Sequence, residues 1–531
     1  MVAMRAIKTT LIYTHRYLGI LLSLMFVVWF VSGFFMIYTG GMPKVTPDMQ
    51  VAGGEPIDFG KVTITPAKAV EIAGFDPPAT VLRTIVGRPV YELGESGYNS
   101  LYLYADSGEP VPELSREQGA ELAGRFLGIP ATQFHYVQTL EDNTDQWTFT
   151  VRRELPLYKY VVDDDAATEV YVSQSAYKVS AYTTRKSRFF AWMGTIPHWL
   201  YFESLRDNQK LWNGIVVWSS GIGSVVALLG LCLGITQFRK VRPFQLSRAI
   251  PYRGWLRWHY IAGCLFGVVT LTWVFSGLVS MEPWEWTNRQ GIRISPDALA
   301  GSDLQLSEFA SAAGIRWSKL SGNPVKQVSF VRVLGKPYYI GSVATAAAED
   351  AKRDRLHQPY NINGQLQARE IVVEASSGRE HTAFPADVLA SRVDEIVTDA
   401  AIIEQGLLQE YDDYYYSRGN QLPLPVVRLK FDDPEASWVY VDPARGQVLS
   451  VVHKWSRLER WLYNGLHSLD FAVWYHKRPL WDIGVLFLMT GGLCTSLLGL
   501  YLGLRRLKYD LVFLFQKFAG RKSAGATSHV S

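Results

Sequence analysis

Cysteine is nearly absent, with three residues in 531 (Cys232, Cys264 and Cys494). All three fall inside long apolar runs, so the rest of the chain has no thiol for a disulfide, and the three read as small packing residues. Charge is missing in a patterned way. Residues 17–43, 211–238, 258–281 and 483–504 contain no Asp, Glu, Lys or Arg. Each run reaches the roughly 20 apolar residues a helix needs to cross a bilayer. The lack of acids there also counts against a carboxylate proton relay through the membrane. The short segments flanking these runs hold no P-loop, dinucleotide-binding glycine motif or nucleophile elbow, and they are too short for a flavin or nucleotide domain.

What remains is sharply sorted. Fifteen Lys/Arg and one acid lie in the N-terminal tail (Arg5, Lys8, Arg16), the link "FRKVRPFQLSRAIPYRGWLRWH" and the C-terminal tail, a net of +14. Against +4 for the whole chain this leaves −10 in the two long intervening regions. The positive-inside rule then predicts cytoplasmic termini and link, with both long regions outside. A basic pI of this origin is no signature of nucleic-acid binding. The first apolar run is too long for a cleaved signal peptide and is expected to stay. The predicted organisation is a cytoplasmic tail and span over 1–43, an outer region over 44–188 and an interfacial segment over 189–210. A span follows at 211–238, then the basic link at 239–257 and a third span at 258–281. The second outer region covers 282–455, a second interfacial segment 456–479, the fourth span 480–505 and a cytoplasmic tail 506–531.

The two halves repeat. At an offset of 244, His15 meets His259, Gly19 meets Gly263, Trp29 meets Trp273 and Ser32-Gly33 meets Ser276-Gly277. At an offset of 269, His198 meets His467, Trp212 meets Trp481 and Gly230 meets Gly499. Both halves enter the membrane in the same sense, as a parallel repeat. The fold class is therefore an α-helical membrane protein, four transmembrane helices in a duplicated parallel repeat, with two outer α+β regions. Within those regions Thr65-Pro66 reads as a helix start and Ser115 with Gln118 as a capping box. Runs such as "SWVYVDPARGQVLSVV" read as hairpin strands.

Of ten histidines, only four have a histidine partner under the repeat: His15 with His259, and His198 with His467. Two neutral imidazoles facing each other across a flat macrocycle form the axial pair of a b-type haem. Gly19 and Gly263, one turn on from the first pair, would leave room for a porphyrin edge; close helix packing is the rival account of them. His198 and His467 precede, by the same interval, the tryptophans Trp212 and Trp481 that open a span. Both sit in aromatic segments expected to lie amphipathically in the outer interface. Structural zinc fits less well, because it usually recruits Cys or carboxylate to a four-ligand site. Four axial histidines predict two haems and an electron path, with a separate donor, either a quinol or a cytoplasmic reductase.

"THRYLGI", "WHYIAGCLFG", "WVFSGL" and "LHSLDF…RPLWD" resemble the PepSY-associated transmembrane helix proteins of bacterial inner membranes, over nearly the whole chain. The resemblance implies PepSY-like outer regions facing the periplasm. It also implies haem b ligation at His15, His198, His259 and His467, and reduction of a periplasmic ferric siderophore. Reduction to the softer Fe(II) weakens the hold of hard oxygen donors on the iron. Catalytic residues beyond the haem ligands are not identifiable. The Tyr-rich "EYDDYYYSRGNQLPLP" (410–425), with Arg418, and "SMEPWEW" (280–286) are docking candidates, each set against a plain loop role. The alternatives are a non-catalytic PepSY anchor that binds or regulates a periplasmic partner, or the same haem path ending on copper or a redox protein.

Overall fold

The computed structural model describes residues 2–39, 41–94, 100–242, 245–287, 291–344, 368–416 and 422–526. The chain divides into two compact units. One is helical and comprises Met1–Tyr38, Met193–Thr287 and Leu458–Ser531; the other comprises Thr39–Trp192 and Asn288–Arg457.

The helical unit is built on four long helices, Val2–Thr39, Gln209–Gln237, Gly254–Val279 and Leu480–Ala526. Each contains a stretch long and apolar enough to cross a membrane. Such sequences become helices because hydrocarbon offers no partner for a backbone N–H or C=O, and a helix satisfies both internally. Apolar side chains such as Leu21, Leu24, Leu265, Val268 and Phe487 stand exposed on the outer faces, as lipid contact requires. Asn208 caps the second helix by accepting from the Leu211 N–H at 3.0 Å. Small residues admit neighbours: a Cβ on Gly223 would lie 3.0 Å from Val274, and one on Gly267 2.8 Å from Leu231. The buried centre is Leu22, Phe26, Phe30 and Val274, flanked by Trp29 and Trp273.

The helices outrun the charge-free stretches. The first already starts at Val2, well ahead of Tyr17, and the last runs on past Leu504 to Ala526. Charged residues delimit a membrane span but do not break a helix, and no proline or left-handed glycine interrupts either extension. The two aromatic segments also differ from single amphipathic helices. The first is the short helices Arg185–Met193, Thr195–Trp199 and Glu203–Arg206. The second is Lys454–Arg460, a π-turn at Trp461–Gly465, then Leu466–Ser468 and Ala472–Tyr475.

The second unit is α+β. Its strands are β1 (Thr80–Ile85), β2 (Arg88–Leu93), β3 (Leu101–Tyr104), β4 (Phe134–Leu140), β5 (Leu157–Val162), β6 (Glu169–Ser173), β7 (Lys178–Thr183) and β8 (Val325–Val333). They continue with β9 (Lys336–Ala344), β10 (Ala368–Glu374), β11 (Glu380–His381), β12 (Ile402–Leu408), β13 (Val426–Phe431), β14 (Trp438–Asp442) and β15 (Gln447–Val452). β4 to β7 and β12 to β15 form two four-stranded meanders. The remaining strands make one seven-stranded sheet in the order β11-β10-β9-β8-β1-β2-β3, so strands from both long regions between the apolar runs share it. The seam is the antiparallel pair β1/β8, with Thr80 opposite Phe330 and Arg83 opposite Gln327.

Local signals sit where the chemistry asks. The helix Pro66–Ala73 starts on Thr65, whose side chain accepts from Lys68 N, and ends on Gly74 at φ +76°. The helix Arg116–Leu127 carries a reciprocal capping box, Ser115 N–H to Gln118 at 3.0 Å and Gln118 N–H to Ser115 at 3.2 Å. It packs on β4 to β7 through Ala120, Ala123, Phe126 and Leu127, burying its apolar stripe against Tyr160, Val170 and Val172.

Candidate functional site

The histidines matched at the two sequence offsets lie in the helical unit as two close pairs. The ring centroids of His15 and His259 are 6.4 Å apart, with planes at 33°. Those of His198 and His467 are 6.0 Å apart, with planes at 75°.

Each ring is held through Nδ1. His15 Nδ1 donates to the Val226 carbonyl at 3.0 Å, and His259 Nδ1 to the Thr495 carbonyl at 3.2 Å. Val226 and Thr495 correspond under the same offset that matches Gly230 to Gly499. A carbonyl only accepts, so the proton is on Nδ1 and Nε2 keeps its lone pair. At the other pair, His198 Nδ1 lies 2.9 Å from Ser32 Oγ, and His467 Nδ1 lies 3.0 Å from Ser276 Oγ. The serine protons are already committed, Ser32 donating to Val28 O at 2.6 Å and Ser276 to Trp273 O at 2.9 Å. The serines therefore accept, and these two imidazoles also carry their proton on Nδ1. Burial and the neighbouring His467 push the His198 imidazole well below its usual range, which keeps it neutral.

The backbone is shaped around the rings. A Cβ on Gly230 would lie 2.9 Å from His15 Cε1, and one on Gly499 3.3 Å from His259 Cε1. Glycine lets the second helix pass this near His15 and eases the close approach of the fourth to His259. Gly33 and Gly277 stand beside the other pair, where an added Cβ would come 3.8 Å from Cε1 of His198 and of His467. Just after each of these histidines the chain turns left-handed, at Leu200 (φ +53°) and Leu469 (φ +50°). That conformation is costly for leucine and needs outside support. Support comes from the tryptophans that open the next helices: Trp212 Nε1–H donates to Trp199 O at 2.9 Å, and Trp481 Nε1–H to Leu469 O at 3.1 Å.

No family model and no curated protein matches this chain. The site is therefore judged on its own donors. A metal–imidazole bond of about 2.0 Å, plus about 1.2 Å from nitrogen to ring centre, puts two opposed imidazole centroids about 6.4 Å apart. The pairs, at 6.4 and 6.0 Å, lie at or just under that spacing. Among the described residues, no group of three or more His, Cys, Asp or Glu comes together to hold a metal ion. The donors arrive in twos, the number that a porphyrin iron leaves open on its axis. Gly263 has nothing within 4 Å of an added Cβ and Gly19 only Val226 at 4.0 Å, so open space adjoins both rather than the tight contacts of Gly223 and Gly267.

The other histidines have different surroundings. His453 bonds Ser437, His381 packs on Phe384 and Tyr338, and His476 on Tyr475. His357 and His529 lie outside the described residues, as does Arg418 of the Tyr-rich stretch. In the rest of that stretch Tyr415 is buried and stacked on Tyr440, its hydroxyl donating to Pro423 O, and Tyr411 donates to Leu422 O. These tyrosines serve the loop's own structure. Ser32, Ser276, Gly230 and Gly499 are visible in the sequence only as matched positions of the repeat. The two carbonyls carry no side-chain signature at all.

Proposed function

We propose that this protein is a haem-b transmembrane oxidoreductase of the PepSY-associated transmembrane type, built as an internal duplication in the bacterial inner membrane. Electrons enter from a quinol or a cytoplasmic reductase and leave to a periplasmic ferric chelate, most plainly a ferric siderophore. The observation that carries this reading is the pair of histidine couples, with ring centroids 6.4 and 6.0 Å apart and each ring held by a hydrogen bond at Nδ1.

His15 with His259 would hold one haem, and His198 with His467 the other. Bound haem supplies a one-electron couple. The chain's own residues supply the rest: Val226 O, Thr495 O, Ser32 and Ser276 retain the Nδ1 protons and orient the rings. The length of helix from His15 to Ser32 separates the couples by roughly 25 Å, enough to carry electrons over most of a bilayer. Phe26, Trp29, Phe30 and Trp273 pack together along that stretch. The substrate step is Fe(III) chelate plus one electron to Fe(II) chelate, after which the oxygen donors release the metal more readily.

The test is a reduced-minus-oxidised spectrum of the purified, detergent-solubilised protein with haem quantified, followed by addition of ferric siderophores under anaerobic conditions. Two b-type haems per chain that a ferric chelate reoxidises are expected. Protein made with ample iron and haem precursor, yet free of haem, would refute the reading and leave the non-catalytic PepSY anchor.

A further inference from the structure

The two couples are not copies of one another. The rings of His15 and His259 are inclined at 33°, those of His198 and His467 at 75°. The acceptors differ too: main-chain carbonyls in the first couple, and in the second a serine hydroxyl for each ring, with the Trp273 carbonyl also bonded to His467. We propose that Ser32 and Ser276 are positioning residues that hold His198 and His467 near a right angle, making the haem between them electronically distinct and the more oxidising of the two. This rests on the haem reading above.

A ring's rotation about its metal bond is set by what its distal N–H bonds to. Ser32 and Ser276 are almost wholly buried, so no solvent molecule offers a substitute acceptor. Their own hydroxyl protons are tied to the helix that carries them, which fixes the oxygen in place. A second acceptor is already engaged at one ring: the Trp273 carbonyl is bonded to His467 Nδ1 at 3.2 Å, beside Ser276. Without the serine oxygen, the His467 ring would turn toward that carbonyl.

Ring angle matters because the imidazole π system acts on two of the iron's d orbitals. Nearly parallel rings act on the same orbital and split the two. Rings near a right angle act on both alike and leave them close in energy. The ferric ion gains from the splitting and the ferrous ion does not. The near-perpendicular couple therefore stabilises Fe(III) less and has the higher potential, so an electron on the His15/His259 side falls toward the His198/His467 side.

Electron paramagnetic resonance of the oxidised full-length protein, with a spectroelectrochemical titration, reads this directly. Two low-spin ferric signals of equal weight are expected, one rhombic and one with a single dominant large-g feature. The large-g haem should be reduced first and be missing in H198A and H467A. S32A and S276A should move or abolish the large-g signal and leave the rhombic one intact, while S32T and S276T, which keep the hydroxyl, retain both. Loss of that haem from the alanine variants but not the threonine variants counts for the same role. Two rhombic signals in the wild type, a large-g haem of lower potential, or alanine variants indistinguishable from wild type would overturn the proposal with the haems still in place. A wild-type protein without haem would instead overturn the functional reading beneath it.

Discussion

Gly230→Ala adds one methyl group, and the structure fixes where it goes. Its carbon would lie 2.9 Å from His15 Cε1, 3.5 Å from Nδ1 and 3.7 Å from Nε2. Carbon–carbon contact begins at about 3.5 Å, so the overlap is about 0.6 Å. The imidazole cannot slide away freely, because Nδ1 is bonded to Val226 O in the same helix as Gly230. Overpacking of this kind costs about 1–3 kcal/mol. Disturbing a ligand's outer hydrogen bond typically lowers metal affinity by about 10–100-fold, a similar free energy. If the couples bind haem as proposed, the expected result is a protein that folds, keeps the His198/His467 haem and loses the other about 10- to 100-fold faster to excess apomyoglobin. Gly499→Ala provides an internal scale. Its methyl would lie 3.3 Å from His259 Cε1, an overlap of only about 0.2 Å, so its effect should stay below about tenfold. Gly214→Ala, with nothing within 4 Å, is the control for the substitution itself. The reasoning fails if Gly230→Ala releases haem like wild type, or if Gly499→Ala is the more damaging change.

Other outcomes follow from the same geometry. His15→Ala and His259→Ala should each remove the same haem, whereas His198→Ala and His467→Ala remove the other; one variant of a couple bleaching while its partner leaves the spectrum unchanged would break the pairing. Gly119→Ala would drive a methyl into the Tyr160 hydroxyl, which donates to Arg116 O, and should lower stability by about 1–3 kcal/mol in thermal or urea unfolding of the full chain. The Arg88 guanidinium holds the Asp106 carboxyl below its usual range. A depressed carboxyl stabilises the fold above about pH 4 and ceases to as pH falls through its folded value. Asp106→Asn should then cost about 0.2–1 kcal/mol at neutral pH, with the gap from wild type closing in acid; a gap unchanged by acid would rule out the ionic origin.

The spans are legible because membrane insertion is written in composition: four stretches without charge coincide with four long helices. Their ends are not, since Arg505 and Arg506 forbid hydrocarbon while favouring helix. Caps at Thr65 and Ser115 can be read from a few adjacent residues because the hydrogen bonds they make are that local. The histidine couples stand out through the repeat, which supplies a long-range comparison inside a single sequence. What the repeat cannot reveal is any partner that acts through its backbone. Val226 and Thr495 differ in type and are alike only in presenting a carbonyl. Nor does a sequence announce pairing between strands as distant along the chain as β1 and β8, where no turn or linker ties the two together.

That seam has a consequence for how such a chain is made and what it gains. In a protein of half this length, β1 would be a bare edge, a row of unsatisfied N–H and C=O groups open to any passing strand. The natural remedy is a second molecule, and the product is a symmetric dimer in which every substitution is made twice. Here the covering strand arrives on the same polypeptide. The edge is sealed at every protein concentration, and the two sides of the seam are released from identity. A residue on one side of the seam can change while its counterpart stays as it is.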